Sequence, residues 1–413
     1  MRRTSCLIHS PLCIAASVGG LFFALSPVWA QTTTVACGDT SQLPNPIYLA
    51  GSSAFEPILG QLSVQIRAKQ GVSIIYSAIA SCNGVSAISP PADLPTPQPL
   101  TGTAHYYTLD PTDNTTVMTN SCTLAGNTMA SIGVSDVSFE SCQSTVRPAS
   151  LGEWFGPEQA MLIIVPERNV SLTALSSQQA AAIWGCGQQG NQGTFVDETK
   201  IQQRSPTSGT QILVARNIGV PETAFKGKTN ASSALLVNSL LAVPDPQTAI
   251  GFVANDFYAT KRNVLNSVAF RGIGQKKAYY ADSDSVVDDL INVREGRYMI
   301  QGPLHFFAPM TNGAPSGSAA TVLNWLAGSV PIDPADTASY VRTVASLGDV
   351  PQCAMKVRID KDGGLFSPYT PPVTCDCAFQ KAKNLRLPAG TCRACKADSE
   401  CSGGLRCQTG YCE

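Results

Sequence analysis

Charge is scarce in this sequence: Asp, Glu, Lys and Arg make up only 14% of it, with 28 basic residues against 29 acidic ones. That balance leaves no basic stripe to follow a nucleic-acid backbone, so no nucleic-acid partner is expected. Histidine is rarer still, with His9, His105 and His305 alone. These three fall in the leader-like start, an alternating segment and an apolar run. No nucleophile–His–acid set assembles from them, so the chain is not expected to be an enzyme. The body also lacks metal-ligand spacing, and no cofactor is expected. Past the first thirty residues, the apolar runs fall well short of the ~20 residues a membrane span needs.

What is present is turn chemistry, with 34 Gly and 28 Pro in 413 residues. The length suits two lobes plus an appendage rather than one domain. Arg2 and Arg3 precede an apolar stretch from Leu12 to Leu25, and Pro27-Val28-Trp29-Ala30 ends on a small residue. This reads as a signal peptide cut after Ala30, with no Cys following to carry a lipid anchor. A periplasmic or secreted protein is therefore expected.

Fifteen cysteines less Cys6 and Cys13 of the leader leave thirteen, five in the body and eight at the end. In an exported chain such density means disulfides. The body holds Cys37, Cys82, Cys122, Cys142 and Cys186, and the end holds Cys353, Cys375, Cys377, Cys392, Cys395, Cys401, Cys407 and Cys412. Five is odd, so a bridge from Cys353 back to Cys186 or Cys37 is expected, with one thiol left over. Cys122 and Cys142 flank a segment that must be held still, and are expected to pair. The export route favours disulfides over a zinc site built from Cys375, Cys377, Cys392 and Cys395.

Along the body, Pro46 to Ala50 reads as a buried strand. Gly51-Ser52-Ser53-Ala54-Phe55 then turns into a helix from Phe55 to Lys69, whose Ile58, Leu59, Leu62 and Ile66 share one face. Ser52 or Ser53 should cap it, with Pro57 in the first turn. Val72 to Ser77 is a second strand, and Ser81-Cys82-Asn83-Gly84 a polar turn. Ser89 to Gly102 is Pro-rich and irregular. His105 to Met118 alternates like a hairpin, and Ser131 to Val137 is a strand ending in Ser135-Asp136.

The stretch Gln203 to Gln211 sets one guanidinium, Arg204, four residues before Ser208-Gly209-Thr210, which opens a helical pattern from Gln211 to Asn217. Alone, this is a capped helix beside a surface charge. In company with the other strand–Ser–helix units it reads as an anion site, since a helix start offers unpaired N–H donors and Arg a planar fork.

Taken in order, these pieces resemble the phosphate-binding proteins of bacterial phosphate ABC transporters, a type 2 periplasmic solute-binding family. The matching pieces are Ala50 to Phe55, Ile132 to Asp136, and Arg204 with Ser208-Gly209-Thr210. Leu172 to Ser176 leading to Ile183-Trp184-Gly185, and Ala249 to Val253, also match. The likeness spans roughly Pro46 to Gly328. It implies an α/β fold of two lobes joined by two hinge strands, plus a small disulfide-rich C-terminal tail. Met161 to Pro166 and Leu304 to Pro309 would be the hinge strands, and Ser318 to Ala327 a closing helix. The divisions implied are a signal peptide at 1–30, lobe 1 at 31–160 and 292–350, lobe 2 at 161–291, and the tail at 351–413.

The resemblance also implies the ligand contacts. Ser53 and Phe55 would donate from the first loop and Ser81 from the second, although Cys82-Asn83 departs from the family pattern. Asp136 would accept the hydrogen of monohydrogen phosphate, and Arg204, Ser208, Gly209 and Thr210 would clamp the other oxygens. Ala54 stands where a hydroxyl residue is common. The implied role is capture of inorganic phosphate or a related oxyanion by a monomer that serves an ABC transporter permease. Two rival readings are a phosphatase-like enzyme and a surface or sensory protein acting through its tail. The tail itself resembles small extracellular cysteine-rich modules and is expected to be separable from binding. The acidic run Asp282, Asp284, Asp288 and Asp289 reads as a solvated helix start.

Overall fold

The structure is a computed structural model and describes residues 35–91, 96–328, 334–388 and 390–413. The expected signal peptide and part of the Pro-rich insertion lie outside the described residues.

Nine strands form the path of one mixed sheet. They are β1 (Val35–Ala36), β2 (Pro46–Gly51), β3 (Ser73–Ser77), β4 (Thr103–Leu109), β5 (Val117–Thr123), β6 (Ile132–Ser135), β7 (Leu151–Pro166), β10 (Gly251–Ala254) and β11 (Gln301–Thr311). Between β7 and β10 in sequence, the short strands β8 (Gln202–Arg204) and β9 (Lys228–Asn230) pair in parallel with each other, apart from that sheet. The large sheet has eleven strands in all, in the order β1-β5-β4-β3-β2-β6-β11-β7-β10 with two further strands off that path. β2 pairs in parallel with both β3 and β6. Parallel strands with both faces covered read as unbroken apolar runs, which is how Pro46 to Ala50 announced itself.

Helices cover these strands. α1 (Glu56–Gln70) buries Ile58, Leu59, Leu62 and Ile66. Each such side chain contributes about 1.5–3 kcal/mol when fully buried. α2 (Ser81–Ile88) and α3 (Phe139–Gln143) follow β3 and β6. α4 (Gly209–Ile218) and α5 (Ser233–Leu241) follow β8 and β9. α6 (Ser318–Ala327) and α7 (Pro334–Ser346) pack on α1. Two expectations change here. Neither Ser52 nor Ser53 caps α1, whose N-cap is Phe55 with no side-chain cap bond. Ser81 to Gly84 is the first turn of α2 rather than a polar turn.

The two apolar runs read as hinges are parts of longer strands that pair with each other. β7 and β11 run antiparallel from Gln301↔Ala160 to Pro309↔Leu151, with a register shift between Pro303 and His305. Beyond Ala160, β7 leaves β11 and takes β10 as its partner, from Met161↔Ala254 to Ile164↔Gly251. Gly152, Gly156 and Pro157 hid the first ten residues of β7, because such residues weaken a strand signal.

The described cysteines form six disulfides and leave Cys186 free and exposed. Cys122 and Cys142 do not pair with each other: Cys122 bonds Cys37, and Cys142 bonds Cys82. The reason is geometric. Cys122 sits on β5, opposite β1 in the register Val35↔Cys122, whereas α3 carries Cys142 against α2. Cys353 bonds Cys375 rather than reaching back to the body. As the export route favours, the four cysteines weighed for a zinc site are in disulfides, Cys375 with Cys353, Cys377 with Cys392 and Cys395 with Cys407.

The C-terminal segment is docked on the body. The hairpin β12 (Val357–Ile359) and β13 (Phe366–Pro368) leads to α8 (Asp376–Ala382). Phe379 of α8 is fully buried, with the Arg294 guanidinium 4.9 Å from its ring centroid. Asp376 pairs with Arg294 and Lys356, and the buried Lys383 pairs with Asp288 at 2.6 Å. The acidic run is solvated only in part: Asp284 is exposed and Asp289 accepts the N–H of Ile291 at the start of a helix, but Asp282 departs from the expectation. Asp282 is buried, 2.9 Å from Arg262, and accepts from the N–H groups of Asp289 (3.0 Å) and Leu290 (2.8 Å).

Candidate functional site

Three strand ends set up the site, as carboxyl ends of parallel strands do in open α/β sheets. β2 delivers Ser52 and Ser53, β6 delivers Asp136, and β8 ends on Arg204. All four side chains are buried. α2 and α4 begin at the same place, with Ser81 the first residue of α2 and Gly209 the first of α4.

Arg204 reaches across to the other side. Its Nη2 donates to Ser53 Oγ at 3.2 Å, and also to the Ala231 carbonyl at 3.1 Å. Nη1 donates to Ser233 Oγ at 2.9 Å, and Nε to the Asn230 carbonyl at 3.2 Å. The backbone N–H of Arg204 is held by Gln211 Oε1 at 2.9 Å. Burial lowers the guanidinium to about 10, with Asp136 pulling the other way, so it keeps its charge at neutral pH.

Asp136 faces it from β6. Thr210 Oγ1 donates to Asp136 Oδ2 at 3.2 Å, while Oδ1 is buried with no hydrogen-bond partner among the described residues. Ser81 Oγ accepts the N–H of Asp136 at 3.3 Å and that of Gly209 at 3.1 Å, so one hydroxyl joins both sides. Burial raises the Asp136 carboxyl above its ordinary range, against Ser52, Arg204, Thr210 and Ser81, which pull it down.

Gly209 is fixed by space. A Cβ there would lie 2.6 Å from Ser81 Oγ and 2.8 Å from Asp136 Cβ. Only glycine lets the α4 backbone come this close to both.

Of the residues singled out from sequence, Ser53 and Arg204 are hydrogen-bonded to each other, and Ser81, Asp136, Gly209 and Thr210 form a second hydrogen-bonded set. Ser208 is buried as the N-cap of α4, but its N–H is spent on the Ser205 carbonyl at 3.0 Å. Phe55 packs its ring 5.4 Å from that of Phe306, and its side chain belongs to the core. Sequence reasoning missed Ser52 and Ser233. Ser233 begins α5 directly after β9, the same strand–Ser–helix signal that marked Ser53 and Ser208.

Comparison with solved structures finds phosphate-binding proteins. A Clostridium perfringens chain solved with bound phosphate shows 13% identity and a TM-score of 0.47, over 74% of this chain and 99% of that one. An ABC-type phosphate transport receptor from Vibrio cholerae gives 13% identity and 0.44 over the same shares. A high affinity periplasmic phosphate-binding protein bound with phosphate gives 11% and 0.41, over 74% of this chain and 90% of that one. Likeness at this level carries no ligand from one protein to another. No family model matches the sequence. No curated protein matches it either.

Proposed function

We propose that this protein is an extracytoplasmic solute-binding protein that captures a tetrahedral oxyanion, inorganic phosphate, between the β2–β6 side and the β8–α4 side. The observation that carries the reading is the buried pair of opposite charges, Arg204 and Asp136, set among hydroxyl and backbone donors from both sides. The direct bonds Arg204–Ser53, Gly209–Ser81 and Thr210–Asp136 link groups that an anion's oxygens would take up in turn. Arg204 supplies the charge, Ser53, Ser81, Thr210 and the N–H of Gly209 supply neutral donors, and Asp136 accepts the hydrogen that phosphate retains. Donors on two sides are satisfied at once only when the sides are together, so ligand favours that arrangement.

The two long strands β7 and β11 are read as the hinge, with lobe 2 at 161–291, lobe 1 at 31–160 and 292–350, and the tail at 351–413 apart from both. Delivery to an ABC transporter permease follows from the motif resemblance. Among the described residues no helix is long and apolar enough to cross a membrane, so a permease would be a separate chain. Calorimetry of the mature protein with phosphate, sulfate and molybdate tests the reading. Tight phosphate binding with weaker sulfate supports it, and absence of heat with all three overturns it.

A further inference from the structure

The hairpin β12–β13 lies inside the loop closed by Cys353–Cys375, a sequence separation of 22. Its turn carries Asp362, a carboxylate only 7% exposed. Asp362 Oδ2 accepts three hydrogen bonds from one side of the site: the N–H of Ser138 at 2.9 Å, Ser138 Oγ at 2.8 Å and Ser141 Oγ at 2.6 Å. Ser138 is two residues beyond Asp136. The next turn residue, Gly363, has φ +70 and lies so near α4 that a Cβ on it would come within 2.5 Å of Arg216 Cβ. Arg216 is in the last turn of the helix that begins with Gly209 and Thr210. The hairpin base is also tied to the body, since the N–H of Lys356 donates to the Arg294 carbonyl at 3.0 Å. One turn therefore holds the Asp136 loop with its carboxylate and α4 with its backbone.

We infer that the Cys353–Cys375 loop is a latch that ties the two sides of the site together from outside, with Asp362 as its catch. The part concerning ligand exchange rests on the oxyanion reading above, whereas the tie itself does not. A latch that stabilises the closed arrangement equally with and without ligand slows entry and exit by the same factor and leaves affinity little changed. The disulfide keeps the loop short, so an opened catch stays close to Ser138 and re-forms.

The test uses the mature full chain as wild type, Asp362→Ala and Ser138→Ala/Ser141→Ala, which break the same contact from opposite ends. Hydrogen exchange of the ligand-free protein is followed in peptides covering 132–138 and 203–212. These hold the Asp136 and Gly209 amides that donate to Ser81. Both variants are expected to exchange there about tenfold faster or more, the scale of losing hydrogen bonds to a charged group. In stopped flow with inorganic phosphate, association and dissociation are expected to quicken by a common factor, with Kd within about threefold. Folded variants whose exchange at both peptides matches wild type overturn the latch. Wild type that fails to bind phosphate overturns the functional reading instead, and the exchange result then decides the latch alone.

Discussion

Arg204 Nη2 donates to Ser53 Oγ at 3.2 Å across 151 positions of sequence, joining the end of β8 to the end of β2. That bond lies beside a second bridge, in which Ser81 Oγ takes N–H groups from Asp136 and Gly209. Neither bridge is local. Each exists because parallel strands deliver polar residues to one edge while helix starts bring backbone donors to the same edge.

Replacing Arg204 by Ala should weaken phosphate, sulfate and molybdate alike, by about 3–5 kcal/mol, the cost of leaving a buried charge unpaired. The fork meets oxygens whatever their protonation, so the ratios between anions should hold. Calorimetry that found one anion lost and another retained would move selectivity onto Arg204 and away from Asp136.

Gly209→Ala should be nearly as damaging although it removes nothing. The added methyl would sit 2.6 Å from Ser81 Oγ and 2.8 Å from Asp136 Cβ, so α4 must back away from β6. Overpacking of this kind costs about 1–3 kcal/mol, and a helix start displaced by part of an ångström no longer aims its N–H groups at the same point. A variant with unchanged melting temperature and unchanged phosphate affinity would show that the approach is looser than these distances state.

Stability should fall as pH rises between about 5 and 8. Burial pushes Glu158 up to about 8, with nearby Asp362 adding to the rise and its bond from Gln352 opposing it. Burial, then repulsion from Asp349, holds Asp256 well above the carboxylate range, and burial does the same for Asp349. In that window the unfolded chain has lost protons that the folded chain keeps, so the folded state binds more protons and raising pH favours unfolding. The contribution is whole below the unfolded value and lost as pH climbs through the folded one. Each group adds a slope of at most about 1.4 kcal/mol per pH unit. Urea titrations of Glu158→Gln across this range should show a shallower dependence than wild type, and an unaltered slope would remove Glu158 from the account.

The tail should be needed for stability. Phe379→Ala deletes a fully buried ring from under Arg294 and should cost about 3–5 kcal/mol. Cutting the chain after Pro371 should cost more, since it also frees Cys353 and unpairs Arg294 from Asp376. Thermal unfolding of either protein at the wild-type temperature would show that the tail contributes no stability.

The elements of the site were legible in the sequence because each is local. An apolar run, then small polar residues, then a 3.6-residue period marks strand, loop and helix start around Ser53; a strand end marks Asp136, and the spacing of Arg204 to Ser208-Gly209-Thr210 at a helix start marks the third piece. The length of β7 was not legible, because Gly152, Gly156 and Pro157 break its pattern and only pairing with β11 keeps it extended. Disulfide partners were not legible either. Sequence places Cys122 and Cys142 on either side of β6, but Cys122 is steered to Cys37 by the β1–β5 register and Cys142 to Cys82 by helix packing. Asp282 was misjudged for the same reason, since its partner Arg262 comes from a turn twenty residues earlier.

Phosphate differs from sulfate at neutral pH in keeping a proton, and Asp136 is placed to use it. Its Oδ1 is buried without a partner among the described residues, and burial raises its pKa, so the carboxyl gains from any proton brought to it. Phosphate brings one. Sulfate does not, and meets an ionised Asp136 as a like charge. As pH falls toward the raised pKa of Asp136, the carboxyl becomes a donor and sulfate should bind better. Discrimination should therefore be greatest at high pH and shrink on acidification. Asp136→Asn replaces the titrating group with an amide that donates at every pH. The variant should lose phosphate affinity, accept sulfate more readily, and show no pH dependence in the sulfate arm. Parallel calorimetric titrations of wild type and variant with both anions at two pH values check this. A phosphate-to-sulfate ratio unaltered by Asp136→Asn would leave Asp136 as a buried turn residue and move anion selectivity elsewhere in the site.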